Sequence, residues 1–303
     1  MQSSEDGSPS TKRSRPLQTQ PHPALAPHVV QYFPDEFFFG FYRYSPGDII
    51  EYPINQYGVV NLQMPTRDEV VQQLTGKHPE FNFQKKHCDW QGAIRNFTKY
   101  ASTNSAFAIV STKQKEVLGI ITLGSLYSLE NWIEKVHFEV KDHIQRIGRF
   151  EDTNKVAEFA YSQGYSFNID YACTGGGFYA SNGEGERVKG IMRYMLYWMS
   201  YIIEWHYVRP AGTMLFMDQW DQSILSKEKC MLVIRSMCFF TLYGVTSAQP
   251  AWRSLGFDEL RKIDKDVVGN KDFYKSVYDM RGVIPEAPAP RMMTQEEMKK
   301  RDV

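Results

Sequence analysis

The residues best suited to chemistry in this chain are Arg187-Val-Lys-Gly190-Ile-Met192. An apolar run from Arg193 to Trp205 follows them without a break. Upstream, Tyr165-Ser-Phe-Asn-Ile-Asp-Tyr-Ala172 alternates and branches like a strand, and glycines crowd the loop between. Strand, glycine-bearing loop and long helix together form an arrangement that holds phosphate. Small residues let the backbone approach an anion. The first N–H groups of a helix lack internal partners, and the helix dipole favours negative charge there. Arg187 and Lys189 would add charge to such a site.

The elements that must position this loop follow from hydropathy and turn residues. Ala106-Phe-Ala-Ile-Val110 reads as a short buried strand, Lys113-Gln-Lys-Glu116 as a turn, and Val117–Leu123 as the returning strand of a hairpin. Val59–Met64 reads as an earlier strand. Thr66, with Glu69 three residues on, predicts a capping box that opens a helix over Arg67–Leu74. A second helix is expected from Trp90 to Tyr100. Residues 126–164 have the periodicity of one or two amphipathic surface helices, and His137 and His143 there read as solvated side chains rather than metal ligands.

The run over 188–206 is apolar on all sides. It predicts a helix buried in protein, because Lys189, Arg193, Glu204 and His206 interrupt it too often for a bilayer. Gly212–Met217 and Cys238–Val245 are strand candidates. Ala248–Phe257 predicts a short helix ended by Gly256, a good left-handed stop, and Phe257–Ile263 a last strand. The aromatic segment Tyr32–Tyr44 fits either a strand or a docking segment.

Composition bounds the rest. The chain has 303 residues, with 35 basic and 35 acidic side chains and a formal charge of zero. No bulk electrostatic pull towards nucleic acid or a membrane surface follows. Residues 1–28 are polar and proline-rich and read as a disordered tail, with a short basic cluster at Lys12-Arg13-Ser-Arg15. Residues 29–265 read as one α/β domain, and 266–303 as a wrapping or flexible C-terminal tail. Cys88, Cys173, Cys230 and Cys238 are scattered, without a Cys-x-x-Cys pair. Together with the absence of a signal-like leader, this points to a reducing, intracellular setting, cytoplasmic or nuclear.

The spacing Arg187-x-x-Gly190-x-Met192 resembles the pyrophosphate loop of the GNAT superfamily of acyl-CoA-dependent N-acyltransferases, which reads Arg/Gln-x-x-Gly-x-Gly/Ala. Trp252-Arg-Ser-Leu-Gly-Phe257 resembles that family's Tyr-x-x-Leu-Gly-Phe. The predicted order of elements from Val59 to Ile263 matches the family's order. The resemblance implies a mixed, mostly antiparallel sheet flanked by helices. It implies acetyl-CoA or another acyl-CoA as cosubstrate, held by backbone N–H groups of Val188, Lys189, Gly190, Ile191 and Met192 with Arg187 beside them. The acceptor would be an amine on a small molecule, a protein or a nucleobase. Asp170 is the candidate proton acceptor. Tyr243 is the candidate thiolate protonator, because Trp252 stands where many members place that tyrosine and an indole cannot deliver a proton. Either the strand at 212–217 or that at 238–245 would splay to admit the cofactor. Met192 and Trp252 depart from the family pattern. They leave open a GNAT-like protein diverged to nucleobase modification, or to a non-catalytic structural or nucleic-acid-associated role.

Overall fold

The protein's structure, a computed structural model, describes residues 37–45, 48–54, 60–74, 106–112, 115, 117–124, 167–174, 178–179, 186–187, 190–219, 226–236, 239–245, 248–263, 273–279 and 293–301. The expectations for 1–28, 90–100 and 126–164 lie outside these residues.

The apolar hairpin forms as read. Strands β3 (Ala106–Thr112) and β4 (Val117–Gly124) pair antiparallel, with Ala108 opposite Ile121. Every residue of β3 is buried, because both faces of the strand are covered, and this is why the sequence runs apolar without alternating. Ala106, Ala108 and Val110 enter the main core cluster, while Phe107 and Ile109 enter a second cluster with Met64 and Val70.

The aromatic N-terminal segment proves to be sheet. β1 (Phe37–Ser45) pairs with β3 and with β2 (Asp48–Ile54), both antiparallel. Val59–Met64 was expected as a strand, but Val60 makes only an isolated bridge to Ile54, and the chain then turns at Leu62 and Gln63. Pro65 and Thr66 follow at once, so the chain has no length in which to extend before the helix. Helix α1 (Arg67–Leu74) opens on the expected capping box: Thr66 N–H donates to Glu69 Oε2 at 2.6 Å, and Glu69 N–H donates to Thr66 Oγ1 at 3.2 Å.

Strand β5 (Phe167–Thr174) adds antiparallel to β4. After a two-residue ribbon, β6 (Phe178–Tyr179) with β7 (Glu186–Arg187), helix α2 (Ile191–Ile203) crosses the sheet against β1, β3, β4 and β5. The helix was expected from about Val188, and it starts at Ile191 after Gly190. It is buried as predicted, with Tyr194, Leu196, Trp198, Tyr201 and Ile202 all in the main core. Gly119 of β4 lets it come close. A Cβ there would lie 3.0 Å from both Ile191 Cγ2 and Met195 Sδ. No helix among the described residues is long and apolar enough to cross a membrane.

The helical run does not stop at 206. A π turn (Glu204–Val208) carries it into α3 (Arg209–Met217), so Gly212–Met217 is helix, not the expected strand. Pro210 explains how. A proline inside an α-helix removes an N–H and its ring clashes with the carbonyl four residues back. Widening the preceding turn, with Arg209 N–H donating to Glu204 O, accommodates it. Gly212 then lets α4 (Lys227–Ser236) approach, since a Cβ there would meet Met231. Glu204 is 3% exposed, and Arg235 of α4 clamps it with Nε at 2.9 Å and Nη2 on the other oxygen. Arg209 Nε adds a third contact at 3.4 Å, its guanidinium 3.6 Å from the Trp205 ring centroid.

Strand β8 (Phe239–Val245) returns to the sheet, followed by α5 (Gln249–Ser254), β9 (Asp258–Ile263), β10 (Phe273–Asp279) and α6 (Gln295–Arg301). Among the described residues the sheet has eight strands in the order β2-β1-β3-β4-β5-β8-β10-β9. β5–β8 is its parallel pair and the other pairings are antiparallel. The mixed, mostly antiparallel α/β sheet is the expected class. Residues 266–303, expected as a tail, contribute β10 inside the sheet and α6. Cys173 is disulfide-bonded, at odds with the expectation of reduced cysteines, while Cys230 is a buried free thiol.

Candidate active site

The sheet opens where its two parallel strands part. β5 and β8 pair only as Phe167↔Phe240, Asn168↔Thr241 and Ile169↔Leu242. Beyond Ile169 and Leu242 the two strands continue, to Thr174 and Val245, without pairing to each other. The residues directly past the fork are Asp170 on β5 and Tyr243 on β8. These are the two positions proposed as proton acceptor and donor from the sequence. Tyr243 is held in β8 by its pairing with Lys275 of β10.

Asp170 is also the extra residue of a β-bulge. The β4 register runs from Tyr171↔Thr122 directly to Ile169↔Leu123. Bulges re-aim side chains beside active sites. The Asp170 carboxylate accepts from Asn168 Nδ2 at 2.5 Å, and Asn168 Oδ1 accepts from Thr241 Oγ1 at 3.2 Å.

The phosphate-binding candidate lies at the same end of the sheet. Ile191, the first residue of α2, touches the space above Gly119 that Thr174, the last residue of β5, also borders. Gly190 takes φ +87°, the left-handed region, and is the N-cap of α2. Among the described residues, nothing lies within 4 Å of where its Cβ would be. The first intrahelical bond is Tyr194 N–H to Gly190 O, at 3.0 Å. Helix geometry therefore leaves the N–H groups of Ile191, Met192 and Arg193 outside the ladder.

The first turn of α2 holds no acidic residue, although the dipole would favour one. It holds Arg193 instead, whose Nε is buried without a hydrogen-bond partner among the described residues. An anion at this point would satisfy the orphan N–H groups and the arginine together. Sequence reading missed Arg193 because it was counted as an interruption of an apolar run. Met192 packs its side chain against the main core. Of the other loop candidates, Arg187 has its backbone paired to Phe178 in the ribbon, and Val188 and Lys189 lie outside the described residues.

The Trp252–Phe257 motif has a local structural cause. α5 ends in a Schellman motif, with Phe257 N–H on Trp252 O at 3.1 Å and Gly256 N–H on Arg253 O at 3.0 Å. Gly256 sits at φ +100°, and the Trp252 and Phe257 rings meet edge to face at 5.1 Å. That is the apolar contact that accompanies such a cap. Trp252 therefore staples the helix end.

Strand order, a parallel pair that forks, a bulged strand at the fork and a glycine-capped helix beside it define a mixed α/β sheet whose two parallel strands part next to a helix start. No protein-family model matches the chain, and no curated protein sequence does. Solved structures of similar shape include a GNAT-family protein from Desulfovibrio desulfuricans, at 8% identity over 72% of this chain and 94% of that one, with a TM-score of 0.32. They also include the spermidine/spermine N-acetyltransferase of Vibrio cholerae, at 12% identity over 71% and 89%, TM-score 0.29. The Salmonella typhimurium protein yncA with its cofactor acetyl-CoA is a third, at 10% identity over 73% and 89%, TM-score 0.27.

Proposed function

We propose that this protein is an acyltransferase that moves an acetyl or other acyl group from acyl-CoA to an amine. The observation that carries the reading is the shared location of two features. The fork between β5 and β8 and the glycine-capped start of α2 lie at one end of the sheet. A thioester threaded through the fork would place its pyrophosphate on Gly190, Ile191, Met192 and Arg193, with Arg187, Val188 and Lys189 leading in.

In the reaction the amine nitrogen attacks the thioester carbonyl. A C–N bond forms, the C–S bond breaks, and the amine proton passes to the Asp170 carboxylate, directly or through a water. The departing thiolate takes a proton from the Tyr243 hydroxyl. Holding both reactants at the fork supplies effective concentration, the main catalytic contribution such a transfer needs. The β5 backbone past Ile169, where pairing to β8 has ended, would hold the pantetheine arm and the developing oxyanion.

Calorimetry with acetyl-CoA tests the reading. Wild type should bind, and Gly190→Glu should not, because it sets bulk and negative charge against the phosphate in a strained backbone. Charge-assisted contacts there are worth about 1.5–3 kcal/mol each. Met192→Gly should leave affinity unchanged, since Met192 is occupied with the core. Absence of binding by wild type would end the acyl-CoA reading.

A further inference from the structure

Asn168 links the two strands at the point where backbone pairing ends. It accepts from Thr241 of β8 and donates to Asp170 of β5. The polarity of this chain is fixed by chemistry. An ionised carboxylate only accepts, so the asparagine must turn its NH₂ towards Asp170. Its carbonyl then faces Thr241, whose hydroxyl must donate. One arrangement makes both hydrogen bonds.

The location gives the chain a purpose. The Asn168↔Thr241 pair is one step before the end of the β5–β8 ladder, and Asp170 is the bulged residue one step past it. The β5–β8 ladder no longer fixes the strand at Asp170, and the β4 register skips it. The side-chain chain takes over, tying the carboxylate to the last paired step of both strands.

We infer that Asn168 and Thr241 are positioning residues that hold the Asp170 carboxylate aimed at the fork as the acceptor of the amine proton. This rests on the acyltransferase reading above. The amide donor favours the charged carboxylate. The threonine hydroxyl donates to the amide oxygen and so anchors the asparagine to β8 in the orientation that the carboxylate selects.

The test uses thiol release from acetyl-CoA with a panel of primary amines, spermidine among them, measured across pH. Thr241→Val keeps the shape and removes the hydroxyl. It should lower kcat about tenfold, the worth of one such hydrogen bond. KM for acetyl-CoA should not move. The acidic limb of the rate profile should shift to higher pH, because the carboxylate loses support for its charged form. Thr241→Ser restores the donor and should restore both kcat and profile. A second measurement needs no turnover. The side-chain amide signal of Asn168 in nuclear magnetic resonance should move with pH as Asp170 titrates, and should stop moving in Asp170→Asn. Wild type that fails to bind acetyl-CoA overturns the acyltransferase reading and this inference with it. Wild type that turns over, while Thr241→Val keeps its kcat and profile, overturns this inference alone. So does an Asn168 amide signal that ignores pH in wild type.

Discussion

Single residues carry much of the local order, and two of them repeat one device. Thr66 and Glu69 form a capping box, and so do Thr294 and Glu297 at α6, where Glu297 N–H donates to Thr294 Oγ1 at 3.2 Å and Thr294 N–H to Glu297 Oε2 at 2.8 Å. The first was legible as Thr-x-x-Glu ahead of an apolar pattern. The second has the same spacing, but a charged segment follows it, and no hydropathy drew attention to it. At Glu69, partial burial pushes the carboxyl up, yet the Thr66 N–H and Lys115, 3.1 Å away, outweigh it and hold the carboxyl below its ordinary 4.5. A carboxyl lowered by folding adds stability above its unfolded value and gives it up as pH falls through the folded one. Glu69→Gln should therefore lower stability by about 1 kcal/mol at neutral pH. The deficit should shrink as pH falls below 4.5, as the carboxylate is protonated in wild type too. Thermal unfolding across that range checks this, and a deficit that does not change with pH contradicts it.

Elements were legible where hydropathy alone decides and misread where a neighbour decides. The β3–β4 hairpin and the buried helix follow from apolar runs and turn residues. Gly212–Met217, expected as a strand, continues the helix instead, past Pro210. The π turn that bypasses the proline depends on α4, which packs against that turn. The fork was half-read: the 238–245 strand was one of two candidates, and the helical state of 212–217 leaves β8 alone. Asn168 and Thr241 could not be paired from sequence, since 73 positions separate them. The Glu204–Arg235 clamp fastens α4 to this irregular turn, so α4 should depend on it strongly. Arg235→Ala leaves a buried carboxylate with only the longer Arg209 contact, a loss of about 3 kcal/mol. Arg235→Ala with Glu204→Gln should recover much of it. Chemical denaturation of the three variants decides; a single variant as stable as wild type would show the clamp to be idle.

At the scale of the whole molecule, the last described helix reaches back to β2 and the start of α1. Arg301 of α6 donates from Nη1 to Glu51 Oε2 of β2 at 2.6 Å, and from Nη2 to the Met64 carbonyl. Glu51 in turn accepts from Arg67 N–H at the start of α1, at 3.1 Å. Both side chains are largely buried. These contacts, 250 and 237 residues apart in sequence, tie α6 to the sheet edge farthest from β10. The segment that reads as a tail therefore touches both halves of the fold. Arg301→Ala should destabilise by about 3 kcal/mol, because a buried carboxylate loses its cation. Glu51→Gln with Arg301→Ala should cost less than the two changes summed. A thermal midpoint unmoved by Arg301→Ala would refute the tie.

The π turn at Glu204–Val208 has a geometric consequence of its own. One surplus residue in an α-helix rotates everything after it by about 100° about the axis. The rod from Ile191 to Met217 is thus a single shaft with an angular offset built in. Ahead of the offset, its inward side meshes with β1, β3, β4 and β5; after it, the side carrying Gly212 meshes with α4 instead. A shaft without the offset would present one continuous stripe to one partner. With it, the same rod drives two surfaces at different bearings, and the α3–α4 pair ahead of β8 becomes a side-mounted bracket rather than an extension of the sheet layer.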